Sequence, residues 1–572
     1  MLALLSVRRD KNIWFWFGIV PAGFYLLGFV ALTFPLITTF SERLWARGAD
    51  GWQSLWNLWW VHKALLELGQ LPWDTNWIHY PYGVSLWTHT LGPFNGLVGA
   101  ALYPFLSFPQ IYNFVVLFSF VASGLTTFYL VYFLTKSYVP SLLAGYVFTF
   151  SSYHLAQSNA HLQLAATEWI PLFILYWYAL WTKPGIMMGA MAAVMLGAVA
   201  LCDYYYLFYC VIAAGVMSLW WLVQFRGLPR AQLKSLVAFA AVALVTVAPL
   251  VIPLAVELVR APVVGHAVEK NSLDLVQLFV PGSNWRFAEW TRAVWSRWQM
   301  NSAEGNAALS ISVLVTLGYV FWQRKKLREP NVLLWYLLLL VFLLLSIGPV
   351  LHWNGNVFTA FPMPYGVLTD LLPILHASGV PIRMVVMITL SAAVLVGYGL
   401  KLLFAGTKAT LGVGVVLALL MLIEPLPKDF SMMSLKVPSY VTALGSSPDN
   451  AGVLDFVEPD IQNRKSGGAG GKAKVLYYQT LHQKPVGFGY VSRVSPGTLE
   501  QDTRLWKEIE ALHWGVLCRI YNFRYLAVDP NEKLDFDSLK TVTIVYRDKD
   551  AIVYDLKPGG QCGDEAESEI AK

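Results

Sequence analysis

Asp50 is the first residue along the chain whose type and surroundings suit chemistry. It sits in the run Gly48-Ala-Asp50-Gly-Trp52-Gln53-Ser54-Leu-Trp56-Asn57-Leu-Trp59-Trp60-Val-His62-Lys63. At helical spacing Asp50, Gln53, Ser54 and Asn57 share one face, while Trp52, Trp56, Trp59 and Trp60 fall on the others. A helix lying flat on a membrane surface fits this pattern. A carboxylate among hydrogen-bonding amides can take a proton from a hydroxyl as a general base. The same position also suits a helix N-cap, for which Asp is a preferred residue. The pattern allows both roles.

Further polar groups stand out against an apolar background. His154, Gln157, Asn159 and His161 lie in one turn, Ser-Ser-Tyr-His154-Leu-Ala-Gln157-Ser-Asn159-Ala-His161, and can bind a substrate's hydroxyls or help to hold a phosphate. The two histidines are too far apart for the i, i+4 zinc pattern, and no HExxH motif or cysteine pair accompanies them. Glu168 lies about a turn inside an apolar stretch, where a carboxylate is costly unless it is ion-paired or faces a wet cavity. Asp203 occupies a similar boundary. Arg383 follows a loop carrying His376 and has the paired donors of a phosphate clamp, or else snorkels to lipid headgroups. In 259–305, Arg260, Arg286, Arg292 and Arg297 are interleaved with Trp285, Trp290, Trp295 and Trp298, a mixture suited to lipid phosphate, glycan or headgroups. Nucleic acid is not an expected partner of a membrane-boundary loop. The Asp-x-Asp pairs, Asp535-Phe-Asp537 and Asp548-Lys-Asp550, both lie far along the tail, so no metal is expected. Ser466-Gly-Gly-Ala-Gly-Gly-Lys472 departs from a phosphate-binding loop at its first glycine and after its lysine, and reads as a flexible surface loop.

The elements that must position these residues are mostly membrane spans. Of 572 residues, 56% are hydrophobic and 13% charged, about half the charge of a soluble domain. An uncharged run, Ile13 to Phe40, follows Arg8, Arg9 and Lys11 and predicts a retained first span with a cytoplasmic N-terminus. Ten more spans are expected at 112–134, 138–156, 164–182, 185–202, 204–225, 235–258, 306–323, 331–351, 384–404 and 408–425, about eleven transmembrane helices in all. Lys136, Lys183, the Arg226/Arg230/Lys234 group, the 324–328 cluster and Lys401/Lys408 then all fall on the side of the N-terminus, as the positive-inside rule requires. Three outer loops result, 41–111, 259–305 and 352–383. Residues 92–107 are expected to form an interfacial or re-entrant helix.

The transmembrane domain is expected to occupy 1–429. The tail, 430–572, is richer in charge and has strand-like runs at Lys474–Tyr478, Tyr525–Val528, Thr541–Tyr546 and Ala551–Tyr554, so an extracytoplasmic α/β domain is expected there. Cys518 and Cys562 lie in it, and an oxidising compartment would allow their pairing.

An Asp at the start of an interfacial helix in the first outer loop, then Pro81-Tyr82-Gly83 and a second interfacial helix, resembles the GT-C superfamily of integral-membrane glycosyltransferases. The His154–His161 turn, Trp169-Ile-Pro171, Asp203-Tyr-Tyr-Tyr206, Pro381-Ile-Arg383 and the soluble outer tail are similar to its bacterial, polyprenyl-phosphate-dependent branch. The resemblance implies an α-helical polytopic protein of the bacterial cytoplasmic membrane. Such a protein transfers a sugar, with inversion, from a polyprenyl-phosphate carrier to a glycan, lipid or protein acceptor on the outer face. By motif position Asp50 is then the catalytic base, and Gln53, Asn57, His154, Gln157, His161, Glu168, Asp203, His376 and Arg383 are candidates to bind substrate. No cofactor beyond the lipid-linked donor is implied. A non-catalytic subunit of a larger membrane complex is the alternative. A transporter fits less well, because no two matching hydropathy halves appear and the polar motifs gather on one face.

Overall fold

Ser107 and Gln110 cap each other reciprocally and start the helix Phe108–Thr135, whose 28 residues end where Lys136 turns left-handed at φ 55°. At about 1.5 Å per residue such a helix exceeds the ~30 Å of a bilayer core. The same logic repeats at Asp203, whose side chain accepts from the Tyr205 amide and begins Tyr204–Phe225. In this computed structural model the described residues are all but 1–11, 263–264, 302, 326, 328–330, 372–378, 429, 448, 459–468, 532–541 and 563–572, with 469–471 described by backbone alone. Among them four helices, Phe15–Leu32, Phe108–Thr135, Tyr204–Phe225 and Pro381–Phe404, are long and apolar enough to cross a membrane. The bent pair Arg230–Thr246 and Ala248–Arg260 makes a fifth if counted as one span. Six shorter apolar helices occupy the remaining expected stretches, and the seventh, Pro93–Leu102, is the expected interfacial segment.

The chain divides into two units. The helical one comprises Met1–Ala46, Tyr103–Ile252 and Gly265–Met432. Its central helix, Val385–Phe404, is buried along nearly its whole length. Gly397 and Gly399 let it approach its neighbours: a Cβ would come within 2.3 Å of Val131 at the first and 2.4 Å of Thr316 at the second. Small residues play this part wherever helices pack without a hydrophobic drive between them. Several helices end on a basic residue, with Lys136, Lys183, Arg226 and Arg324 at C-caps. Lys136 and Lys183 both lie 5.0 Å from the Phe133 ring, so their two loops share one end of the unit.

The second unit comprises Arg47–Leu102, Pro253–Val264 and Met433–Lys572, so the first loop folds with the tail. Its sheet orders Gly452–Phe456, Phe523–Val528, Ile552–Asp555 and Thr543–Arg547, the first pair parallel and the others antiparallel. Lys474–Tyr478, expected as a strand, is instead part of the helix Ala469–His482. Every residue from Val475 to Thr480 is buried, so the helix is covered on all sides, and a short apolar run of β-formers carries no period that tells such a helix from a strand. Lys472 and the end of the expected glycine loop belong to the same helix. Cys518 and Cys562 are bonded to each other.

Gly48–His62 does form a helix, and protein packs on more than one of its sides. Its polar and aromatic faces are both buried, against Pro93–Leu102 and Ala469–His482. Trp56 donates to Gln479 at 2.7 Å and stacks on Trp60, and Trp52 stacks on Tyr477. Protein contacts thus cover the tryptophans of this helix. Pro81-Tyr82-Gly83 closes the loop below, where Gly83 has φ +80° and a Cβ would meet the Thr75 carbonyl at 2.4 Å.

Candidate active site

In the second unit the N-cap of Gly48–His62 is Arg47, not Asp50, which removes the capping role for Asp50. Asp50 lies in the first turn, half-exposed, where the positive end of the helix dipole favours a negative group. The Tyr490 hydroxyl donates to its Oδ1 at 3.2 Å. Burial first, and then the neighbouring carboxylate, push the Tyr490 phenol well above its ordinary range, so it stays a donor.

The floor beneath is a closed polar network. The Ser492 amide donates to His89 Nδ1 at 3.2 Å, which leaves the proton on Nε2 to be donated to Asn57 Oδ1 at 2.9 Å. Desolvation, followed by the Arg493 charge, pushes His89 down to about 3 against the opposing pull of Asp50. It is therefore a neutral imidazole of fixed tautomer at physiological pH. Asn57 donates to the Thr90 carbonyl at 2.8 Å, and Gln53 donates to the Tyr490 carbonyl at 3.3 Å while accepting from Thr90 and Ser492. Gln53 and Asn57 thus tie two loops to the helix that carries Asp50. That gives them a positioning role beside the expected one of touching substrate.

The helical unit gathers a second cluster. Arg383 donates through Nε at 3.0 Å and Nη2 at 2.6 Å to Glu304 Oε1, and Gln157 donates to Oε2 at 2.8 Å. His161 Nδ1 donates to Gln157 Oε1 at 2.6 Å, so a half-exposed imidazole is linked through an amide to a buried ion pair. Burial alone would raise Glu304, but Arg383, His161 and Gln157 outweigh it and hold the carboxyl below its ordinary range. The guanidinium also lies 5.1 Å from the Tyr205 ring. Arg383 is 6% exposed, so it does not snorkel to headgroups, and a carboxylate occupies the donors expected to clamp phosphate.

The other expected residues separate from this cluster or take structural work. Both ring nitrogens of His154 meet main-chain carbonyls, Thr149 at 2.6 Å and Ala165 at 2.7 Å, and the ring stacks on Phe120. Asp203 caps Tyr204–Phe225. Glu168 is buried, and neither carboxyl oxygen has a hydrogen-bond partner among the described residues, so the ion pair considered for it is not made. His376 and Asp535-Phe-Asp537 lie outside the described residues. Among the described residues no three His, Cys, Asp or Glu side chains group to hold a metal.

Glu304, His89 and Tyr490 were not singled out from the sequence. A lone acid at Asn301-Ser-Ala-Glu304 within an arginine-rich loop was the available sign of the first. Nothing local marks the other two, since they meet their partners across 32 and 440 residues.

The chain belongs to the family described as Domain of unknown function (DUF6311), which matches residues 25–424. In structure it is similar to the oligosaccharyltransferase AglB from Archaeoglobus fulgidus, in complex with an inhibitory peptide and a dolichol-phosphate. That match has 10% identity and a TM-score of 0.44, over 91% of this chain and 70% of that one. The Archaeoglobus fulgidus oligosaccharyltransferase complexed with Zn and sulfate matches at 12% identity and a TM-score of 0.46, over 89% and 67%. ArnT from Cupriavidus metallidurans, bound to undecaprenyl phosphate, matches at 9% identity and a TM-score of 0.45, over 97% and 100%. No curated protein matches the chain.

Proposed function

We propose that this protein is an inverting membrane glycosyltransferase that moves a sugar from a polyprenyl-phosphate donor to an acceptor at the outer face of a bacterial cytoplasmic membrane. The observation that carries the reading is Asp50: a half-exposed carboxylate at a helix N-terminus, oriented by Tyr490 and set on a floor whose histidine is held neutral. In the proposed step Asp50 takes the proton of the acceptor hydroxyl as its oxygen bonds to the anomeric carbon. The bond from that carbon to the phosphate oxygen breaks on the opposite side, and the lipid phosphate leaves with the electron pair. A phosphate is a good enough leaving group to need no general acid, so one carboxylate suffices.

The test is transfer by the purified full chain from a polyprenyl-phosphate sugar. Asp50→Asn should fold normally and lose roughly 10²–10⁴-fold in turnover, the usual range for a general base. Near-normal turnover would remove Asp50 from the role. Chelator should leave transfer unchanged, and loss of activity restored by magnesium or manganese would overturn the metal-free step.

A further inference from the structure

In the helical unit, the end of the helix Val20–Leu32, Trp45 and the segment after Glu424 surround a cavity of about 290 Å³. Its walls include Phe34, Trp45, Phe430 and Met432, and two cations, Arg286 and Lys428, line it. The cations are brought together by backbone pairing. Trp285 and Pro427 form an antiparallel bridge, the Arg286 amide donates to the Leu426 carbonyl at 3.0 Å, and the Lys428 amide donates to the Asn284 carbonyl at 2.7 Å. Pro427 takes the non-hydrogen-bonded position of this pair, where its missing N–H costs nothing. Alternation then puts Arg286 and Lys428 on the same side of the ladder as diagonal neighbours, about 7–8 Å apart at the backbone. Two long cationic side chains at that spacing can converge on one phosphate.

The described acids nearby are already engaged. Glu424 accepts from the Ser312 amide and hydroxyl, and Glu289 pairs with Arg292. Neither Arg286 nor Lys428 makes an ion pair among the described residues, and the described lining holds these two cations and no acid. Its volume is at the low end of the roughly 300–1,000 Å³ of small-molecule sites, enough for a headgroup and too small for a whole lipid. The remainder of an amphiphile has a path, because Phe34, in the lining, is 64% exposed and Leu27, seven residues earlier on a helix long enough to span a membrane, is 71% exposed.

We propose that this cavity binds the phosphate headgroup of an anionic membrane lipid through Arg286 and Lys428, with the lipid chain running along Phe34 and Leu27. The site is separate from the Glu304–Arg383 pair, and its occupation does not depend on glycosyl transfer. The test is native mass spectrometry of the detergent-solubilised full chain titrated separately with polyprenyl phosphate, phosphatidylglycerol, phosphatidylcholine and inorganic phosphate. Either anionic lipid should be retained over phosphatidylcholine, and whichever binds tighter identifies the source of the headgroup. R286Q/K428Q should weaken retention by roughly tenfold or more for each cation removed, while R286K/K428R should keep it. Because both side chains are exposed the variants should fold, and rising salt should weaken wild-type binding in the same direction. Equal retention by R286Q/K428Q, no preference over phosphatidylcholine, or binding of inorganic phosphate as tightly as lipid would overturn the assignment.

Discussion

Removing one member of the Glu304–Arg383 pair should harm the protein more than removing both. In Arg383→Gln the Glu304 carboxylate, 4% exposed, loses its guanidinium and keeps the Gln157 donor and the weaker pull of His161. A stranded buried charge of this kind costs about 3–5 kcal/mol. In Glu304→Gln the guanidinium still lies 5.1 Å from the Tyr205 ring, and a desolvated cation–π contact is worth about 2 kcal/mol, so the expected loss is smaller, about 1–3 kcal/mol. In Glu304→Gln/Arg383→Met neither charge remains, and well-packed replacements of a buried pair are often close to neutral. The singles should therefore sum to well above the double, with a coupling on the order of 3 kcal/mol. The assay is the apparent unfolding temperature of all four proteins in one detergent, with denaturant titration as a second probe. Additive single effects, or a neutral Glu304→Gln, would refute the argument and return the Arg383 guanidinium to the role of phosphate ligand.

Tyr490→Phe removes one hydrogen bond to the Asp50 carboxylate without removing the carboxylate, so turnover should fall by roughly tenfold, far less than for Asp50→Asn, and KM should move less than kcat. His89 is held down to about 3 in the folded protein, against about 6.5 when unfolded. Between those values the unfolded chain binds a proton that the native one does not, so stability should rise with pH from about 3 to 6.5. Asp455, pushed up to about 7 by burial, opposes this slope. The difference between wild type and His89→Gln in pH-dependent denaturation isolates the histidine, and identical slopes would show that it titrates normally. The Cys518–Cys562 bond closes a separation of 44 residues, so reduction or Cys518→Ser should cost up to about 4 kcal/mol by loop-closure entropy. An unchanged melting temperature under reductant would contradict that.

Much of the helical frame was legible, because spans are written in composition: every expected stretch carries an apolar helix. The eye for period failed where the window was short, at Lys474–Tyr478. At Gly48–His62 the tryptophans meet residues more than 400 positions away, a packing that no local pattern announces. Asp50 was legible as an acid at a helix start. Its partner Tyr490 was not, nor was the pairing of Arg383 with Glu304. Charge complementarity across 79 residues leaves no local trace, whereas hydrophobic period does.

The folding of the first loop with the tail has a consequence for how the protein is made. Residues 47–102 leave the ribosome roughly 330 residues before Met433, a delay of about 15–70 s at ordinary rates of synthesis. Over that interval Trp56, Trp59 and Trp60 have no helix Ala469–His482 to cover them, and Asp50 has no Tyr490. The surroundings of Asp50 are therefore completed last, and a chain that stops short of residue 490 can insert its helices and still lack the Tyr490 hydroxyl that donates to Asp50.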